Sequence, residues 1–102
     1  MFGRNMSGRM KNKMNTLERL IKYCEVDTTS DPSQECTPST NKQFDLAKLL
    51  VQELKDLGVE DVELSEHCYV YACIKGNPDN PRSAFIAHMD TAPDYNGTGV
   101  KP

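Results

Sequence analysis

One amphipathic segment, between Thr40 and Gly58, constrains the fold of this chain more than any other stretch. Its apolar residues recur at the three- and four-residue spacing of one helix face, and its polar residues lie mostly on the opposite face. The apolar stripe consists of Phe44, Ala47, Leu50, Val51, Leu54 and Leu57. Thr40 and Gln43 match a capping box, and Gly58 suits the left-handed position after the last turn. The segment therefore predicts a helix whose stripe packs on a core.

A shorter helix is predicted before this one, and a long loop separates the two. Asn15 and Glu18 match a capping box. The apolar residues behind them have helical spacing over about three turns, ending near Val26; they are Leu17, Leu20, Ile21 and Cys24. Residues 27–40, DTTSDPSQECTPST, have no apolar period and predict a loop. Long loops in compact domains are commonly functional or disordered, so a plain surface connection and a site-lining role both remain open.

Three strands are predicted after the second helix. Residues 61–64 and 68–74 indicate a hairpin around the turn Ser65-Glu66-His67, with His67 exposed and non-catalytic. Both faces of the second strand are apolar, which favours cover on both sides. A third apolar run, AFIA at 84–87, has the length of a buried strand and ends at His88. Helices that precede a sheet indicate an α/β layer arrangement. The other face of the sheet has no predicted cover, which indicates that the sequence is incomplete.

The end of the third predicted strand carries the candidate chemistry. His88 follows the apolar run, and Asp90 lies two positions later. Side chains alternate along a strand, so these two would project to the same side if the extended path continues. An imidazole beside a carboxylate is a pattern typical of a metal ligand and its supporting group. A surface histidine beside an aspartate turn fits the same spacing, and the spacing alone leaves both interpretations open.

Composition narrows the class of protein. The 102 residues make one modest domain or a piece of a larger one, and the net charge of −3 gives no reason to expect nucleic acid or an anionic membrane as partner. No apolar run is long enough for a membrane helix or a secretory signal. The four cysteines could form two disulfides, but the lack of a secretory signal and the ordinary globular patterning favour free thiols in a reducing cytoplasm. Their spacings match no zinc knuckle or ribbon.

The first thirteen residues differ in character from the rest. Met1–Lys13 contains four basic residues and no acidic one, and it has no apolar stripe that could bury a face. We therefore expect a disordered basic leader, with residues 14–102 forming the folded unit. A targeting peptide is one interpretation. A cloning remnant or an over-extended start, with Met14 as the true beginning, is the other.

Several stretches of residues 14–102 form one set of motifs, and they are Val26-Asp27-Thr28 with Ser30 and Asp31-Pro32-Ser33, Cys36-Thr37-Pro38-Ser39-Thr40, Leu57-Gly58 with Asp61-Val62-Glu63-Leu64, Gly76-Asn77, Phe85-Ile86-Ala87-His88-Met89-Asp90-Thr91-Ala92-Pro93-Asp94, and Val100-Lys101-Pro102. Together these stretches resemble peptidase T, the tripeptide aminopeptidase branch of the di-zinc aminoacylase and carboxypeptidase superfamily. Family members often have Gly where this chain has Lys42, and Asn-Gly where it has His67-Cys68. Neither departure touches the expected chemistry.

The resemblance implies a fold, an activity and roles for two residues. The fold would be the N-terminal part of a di-zinc exopeptidase catalytic domain, with two helices packed on a mixed sheet of at least three strands. His88 would bind one of two zinc ions, and Asp90 would be the carboxylate that orients the site. The complete enzyme would be a cytoplasmic, zinc-dependent aminopeptidase that releases the N-terminal residue from tripeptides. Its other ligands and its general-base glutamate would lie beyond residue 102, so we expect an inactive N-terminal fragment.

Two other classes of function remain open. One is a non-enzymatic small α/β protein that retains the ancestral sheet as a binding or interaction module. The other is a cysteine-based redox or metal-binding protein, in which Cys68 or Cys73 would need a low thiol pKa and Lys75 is the only basic neighbour. An apolar strand left at the edge of a half-covered sheet is also prone to aggregation. For this reason, oligomers or poor solubility are expected of the chain alone.

Overall fold

The computed structural model describes residues 14–102. It contains helix α1 (Thr16–Cys24), helix α2 (Gln43–Asp56), strands β1 (Asp61–Leu64) and β2 (Val70–Cys73), and a 3₁₀ turn at Pro93–Tyr95. The predicted α/β class is confirmed, with two helices and a two-stranded antiparallel sheet. The expected disorder of Met1–Lys13 lies outside the described residues. Within the described part, neither helix is long and apolar enough to cross a membrane.

Helix α1 begins at the predicted capping box. The Glu18 backbone N–H donates to the Asn15 side chain, and the Asn15 backbone N–H donates to the Glu18 carboxylate, both at 2.8 Å. These two bonds satisfy amides that have no partner inside the helix. The helix ends at Cys24, two residues before the predicted end, and none of its residues is buried by the described part of the chain. Its attachment to the fold therefore depends on polar contacts.

Helix α2 confirms the predicted helix but not its predicted cap. The Thr40 hydroxyl donates to the Thr29 carbonyl at 2.8 Å instead of capping the helix. Lys42 occupies the N-cap position and makes no side-chain capping bond to the described residues. The expected capping box is therefore wrong, because a partner eleven residues away in the chain takes up the Thr40 hydroxyl. The Gln43 side chain instead donates to Thr40 Oγ1 at 3.1 Å.

Helix α2 ends as the sequence predicts. Gly58 has a φ of +92°, which is the left-handed region that a side chain disfavours. Its N–H donates to the Lys55 carbonyl at 2.9 Å, and the Val59 N–H donates to the Leu54 carbonyl at 3.0 Å. This pair of bonds is a Schellman motif, which closes the last turn and turns the chain toward β1.

The hairpin confirms the predicted turn and the predicted first strand, with a second strand shorter than predicted. Asp61 pairs with Cys73 and Leu64 with Val70, so β2 covers four residues of the predicted 68–74. The Cys68 N–H donates to the Ser65 carbonyl at 3.1 Å. Cys68 has a φ of +66°, and a turn followed by one left-handed residue is a common three-residue hairpin loop. Cys68 is also buried, with 3% exposure.

The core lies where α2 packs on the hairpin. Gln43, Leu46 and Ala47 are the buried residues of α2, at the i, i+3, i+4 spacing of one helix face. Leu46 lies outside the predicted stripe, and Leu57 inside it is 45% exposed. The buried residues lie in the first two turns of the helix, so the buried arc is displaced from the predicted one.

The predicted third strand and the cover of β2 are not formed by the described residues. Residues 81–90 belong to no helix or sheet, and Phe85 and Ile86 are 99% and 96% exposed. A strand needs a neighbour for its backbone N–H and C=O groups, and none of the described segments pairs with this run. The expectation that β2 is covered on both faces is also wrong, because Tyr71 and Ile74 are exposed. A mixed sheet of three strands is therefore absent from residues 14–102.

Candidate metal-ligand site

The structure brings His88 and Asp90 into direct contact. His88 Nδ1 lies 2.9 Å from the Asp90 carbonyl oxygen and 3.1 Å from Asp90 Oδ1. Both oxygens are acceptors, so Nδ1 is the nitrogen that carries the proton. The neutral ring then has its lone pair on Nε2, which is the nitrogen available to a metal ion. The His88 side chain is 85% exposed, so Nε2 is open to a ligand.

The backbone beyond Asp90 is held by the long loop. The Thr91 N–H donates to the Thr28 carbonyl at 3.2 Å, and the Ser30 N–H donates to the Thr91 carbonyl at 2.9 Å. These bonds form an isolated parallel bridge between Thr29 and Thr91. The Ser30 hydroxyl also donates to the Thr91 carbonyl, at 3.0 Å. Of the two interpretations left open for residues 27–40, these contacts favour the loop as part of the site.

Asp27 is a residue that the sequence interpretation did not single out. Its Oδ1 accepts hydrogen bonds from the Thr29 N–H at 3.0 Å and from the Thr29 hydroxyl at 2.6 Å. Its Oδ2 accepts from Lys42 Nζ and from the Thr98 hydroxyl, each at 3.2 Å. The hydrogen bonds from Thr29 hold the pKa of Asp27 well below its ordinary value. An Asp with a threonine two positions later is a turn signal that could have drawn attention to it.

The donor set for a metal is limited within the described residues. No group of three or more His, Cys, Asp or Glu residues in 14–102 could hold a metal ion. His67 lies in the hairpin turn, where its Nδ1 is 3.3 Å from the Thr37 carbonyl. The imidazole of His88 is of the donor type that zinc accepts, but catalytic zinc sites need about three protein ligands per metal, which the described residues do not bring together.

The four thiols offer no second candidate centre. Cys24, Cys36, Cys68 and Cys73 are all free, and only Cys68 is buried. Burial raises the pKa of the Cys68 thiol, which disfavours the thiolate that redox and metal chemistry need. For Cys68, the cysteine-based class of function is therefore disfavoured.

A second polar cluster joins α1 to α2. Glu53 is 11% exposed and accepts hydrogen bonds from Arg19 at 2.9 Å, from Lys22 at 3.1 Å, and from the Tyr23 hydroxyl. Burial alone would raise the pKa of Glu53. The hydrogen bonds from Tyr23 and Lys22 outweigh that effect and hold the pKa below its ordinary value. The cluster borders a depression of about 230 Å³ that Ala87 and Met89, the neighbours of His88, also line.

Several known proteins that are similar to this chain are named peptidase T. The chain is 52% identical over 87 residues to peptidase T of Clostridium perfringens strain 13, covering 83% of this chain and 21% of that protein. It is 52% identical over 92 residues to peptidase T of Alkaliphilus oremlandii, covering 86% of this chain and 22% of that protein. Peptidase T of Geobacillus strain WCH70 is 48% identical over 95 residues, 91% of this chain and 23% of that protein. No family model matches the chain.

These relatives confirm the resemblance to peptidase T. The similarity extends over most of the chain at 46–52% identity. The chain spans about a fifth of the length of the curated relatives that it matches.

Proposed function

We propose that this peptidase T-like chain supplies one metal ligand, His88, to the catalytic site of a zinc-dependent aminopeptidase that releases the N-terminal residue from tripeptides. The observation that carries the proposal is the contact of His88 Nδ1 with Asp90, which leaves Nε2 exposed. The relatives named Peptidase T support peptide hydrolysis as the reaction class. Small peptides in the cytoplasm would be the substrates, with no nucleic acid or membrane as partner.

Each of the two residues has a distinct role in this proposal. Asp90 accepts the proton of Nδ1, which selects the ring tautomer and makes Nε2 a stronger electron-pair donor. His88 would then bind one of two zinc ions through Nε2. When bound, the zinc ions supply Lewis-acid polarisation of the scissile carbonyl. Because the described residues provide one histidine ligand, the 102-residue chain alone is expected to have no peptidase activity.

A chimera tests the role of this chain in catalysis. Residues 14–102 would replace the matching residues of Clostridium perfringens peptidase T, and zinc content and tripeptide hydrolysis would be measured. Replacing a supporting carboxylate commonly lowers metal affinity or activity by about 10–100-fold, so Asp90→Asn should fall in that range. His88→Ala should lose zinc and activity together. A His88→Ala chimera that keeps full zinc and full turnover would refute the proposal.

His67 provides the matched control for that experiment. It is the other histidine of the chain, and it lies in the exposed hairpin turn against the Thr37 carbonyl. His67→Ala should leave zinc content and hydrolysis unchanged. For the separate 102-residue chain, elemental analysis and a tripeptide assay should show neither bound zinc nor turnover. If the 102-residue chain alone bound stoichiometric zinc and hydrolysed tripeptides, the proposal that it supplies only one ligand of the site would be contradicted.

A second candidate function is an interaction module without catalysis. The observation in its favour is the exposure of Phe85 and Ile86, two large apolar side chains that a partner could cover. An active chimera excludes this candidate as the sole function. A chimera that folds and binds no zinc, together with a separate chain that unfolds cooperatively as a monomer, would favour it.

A further inference from the structure

We propose that Asp27 is a positioning residue for His88, acting through the loop and turn that hold the Asp90–Thr91 peptide. The role of His88 as a metal ligand rests on the proposed function. The positioning of its side chain by Asp27 rests on hydrogen bonds within this chain. Asp27 touches neither His88 nor Asp90 in the contacts described. Its effect would pass through Thr28, Thr29 and Thr91.

A tight turn links the Asp27 side chain to the Thr28 carbonyl. Oδ1 of Asp27 accepts both the N–H and the hydroxyl of Thr29, at 3.0 and 2.6 Å. This closes a tight turn over residues 27–29. Thr28 lies at its centre and is buried, with 2% exposure, so water has little access to it. The direction of the Thr28 carbonyl is therefore set by the turn that Asp27 closes.

The Asp90–Thr91 peptide links the Thr28 carbonyl to His88. The Thr91 N–H points at that carbonyl, at 3.2 Å. The peptide unit is planar, and in the trans form its C=O points away from its N–H. The Asp90 carbonyl belongs to the same peptide unit, and it lies 2.9 Å from His88 Nδ1. Fixing the Thr91 N–H on one side therefore aims the Asp90 carbonyl at the imidazole on the other.

A cross-link also joins Asp27 to the turn that follows the site. Oδ2 of Asp27 accepts from Thr98 Oγ1 and from Lys42 Nζ, each at 3.2 Å. The hydroxyls of Thr29 and Thr91 both lie 2.8 Å from the Asn96 carbonyl. One carboxylate thus joins the long loop, the start of α2 and the turn after Asp90. The lowered pKa of Asp27 agrees with an ionised group in this position.

Asp31 supplies a matched control within the same loop. Its Oδ1 accepts the N–H and the hydroxyl of Ser33 at 3.0 and 2.7 Å, which repeats the local turn of Asp27. The described contacts of the Asp31 carboxylate all lie within its own loop. Asp31→Ala therefore removes the same kind of turn without the cross-link to residues 91–98. A residue that merely closes a turn should behave like Asp31.

The test reads the tautomer of His88 directly. Nitrogen-15 NMR of histidine-labelled 102-residue chain reports which ring nitrogen carries the proton, and His67 serves as an internal reference in every sample. In Asp27→Ala, the Nδ1–H signal of His88 should weaken in favour of Nε2–H, and His67 should not change. Amide exchange at Thr91 should accelerate about tenfold, the scale of one lost hydrogen bond of moderate strength. Exchange at Ala47 in α2 should stay within about threefold if the fold is intact.

Two milder variants distinguish a positioning effect from a general loss of the fold. Asp27→Asn keeps an acceptor for Thr29 but removes the charge that faces Lys42, and Thr98→Val removes only one cross-link. Both should shift the His88 tautomer in the same direction by smaller amounts. Unchanged His88 signals in Asp27→Ala, or an equal change in Asp31→Ala, would overturn the proposal.

The outcome is distinguishable from that of the proposed function, since no reading here requires zinc or turnover. An active chimera with an unchanged His88 tautomer in Asp27→Ala rejects the positioning role alone. An inactive chimera with a shifted tautomer rejects the peptidase function alone.

Discussion

Replacing Glu53 with Gln should release helix α1 from the rest of the fold. None of the α1 residues is buried by the described part of the chain, so little apolar burial holds the helix in place. Glu53 on α2 accepts hydrogen bonds from Arg19, Lys22 and Tyr23, all on α1. Gln retains an acceptor for Tyr23 but removes the negative charge that the two cations face. The change therefore tests the attachment of α1 with little change in shape.

The size of the effect follows from the exposure of the partners. Charged hydrogen bonds contribute about 1.5–3 kcal/mol when buried, but ion pairs open to solvent contribute at most about 1 kcal/mol. Glu53 is 11% exposed, whereas Lys22 is 41% exposed. We therefore expect the opening of α1 to become easier by about 1.4 kcal/mol, which corresponds to about tenfold in the opening equilibrium.

The pH dependence has a definite sign. The pKa of Glu53 is lowered in the folded state, so its contribution to stability is complete above the unfolded value of about 4.3. That contribution is lost as the pH falls through the folded pKa. Amide exchange of α1 in the wild type, corrected for intrinsic rates, should therefore accelerate below about pH 4. Glu53→Gln should show the faster exchange already at neutral pH, with little further change on acidification.

Hydrogen exchange resolved by residue measures this directly. The α1 amides should exchange about tenfold faster in Glu53→Gln than in the wild type, and the α2 amides around Ala47 should be unaffected. Glu60→Gln, which changes an exposed glutamate just before β1, is the control for loss of one charge. Equal exchange of α1 in Glu53→Gln and in the control would show that α1 is held by something other than this cluster.

Three further predictions concern the exposed run, the hairpin turn and the thiols. The wild-type chain should self-associate, and the double variant Phe85→Lys with Ile86→Lys should sediment as a monomer, because these side chains are 99% and 96% exposed. A wild-type monomer in sedimentation velocity would contradict this. In urea denaturation, the free energy of unfolding of Cys68→Gly should stay within about 1 kcal/mol of the wild-type value, because glycine relieves the strain at a positive φ and this offsets the lost burial. Cys68→Val should lower the free energy of unfolding by about 2 kcal/mol, because a β-branched residue disfavours a positive φ. An unchanged free energy of unfolding in Cys68→Val would show that the turn relaxes to accommodate the side chain. Finally, Cys24, Cys36 and Cys73 should react with iodoacetamide before Cys68, which is buried; equal rates would place the Cys68 thiol in solvent.

Local signals predicted the elements whose causes are local. The capping box at Asn15, the helix end at Gly58 and the hairpin turn all depend on residues within a few positions of each other, and the structure has each of them. The predictions that failed depend on distant partners. Thr40 does not cap α2 because the Thr29 carbonyl competes for its hydroxyl. The run at 84–87 has strand composition, but composition cannot supply the neighbouring strand that pairing requires.

In the candidate site too, the contacts with local causes could be predicted and those with distant partners could not. The spacing of His88 and Asp90 is a local signal, and the structure brings the two side chains together. The cross-link made by Asp27 could not be predicted, because its partner Thr98 lies 71 positions away in the chain. A turn signal at Asp27 indicates a turn, but only the folded chain shows which carbonyl that turn presents to the Thr91 N–H.

The apolar run and the histidine that follows it are held in different ways. Phe85 and Ile86 are almost fully exposed, whereas Thr91 is bonded to Thr28 through its N–H and to Ser30 through its carbonyl. The orientation of His88 therefore depends on the loop that begins at Asp27 rather than on strand pairing of residues 84–87. It follows that the double lysine variant at 85 and 86 should change the association state but not the tautomer of His88. If that variant moved the His88 ring signals as far as Asp27→Ala does, the two parts would be coupled and this division would be wrong.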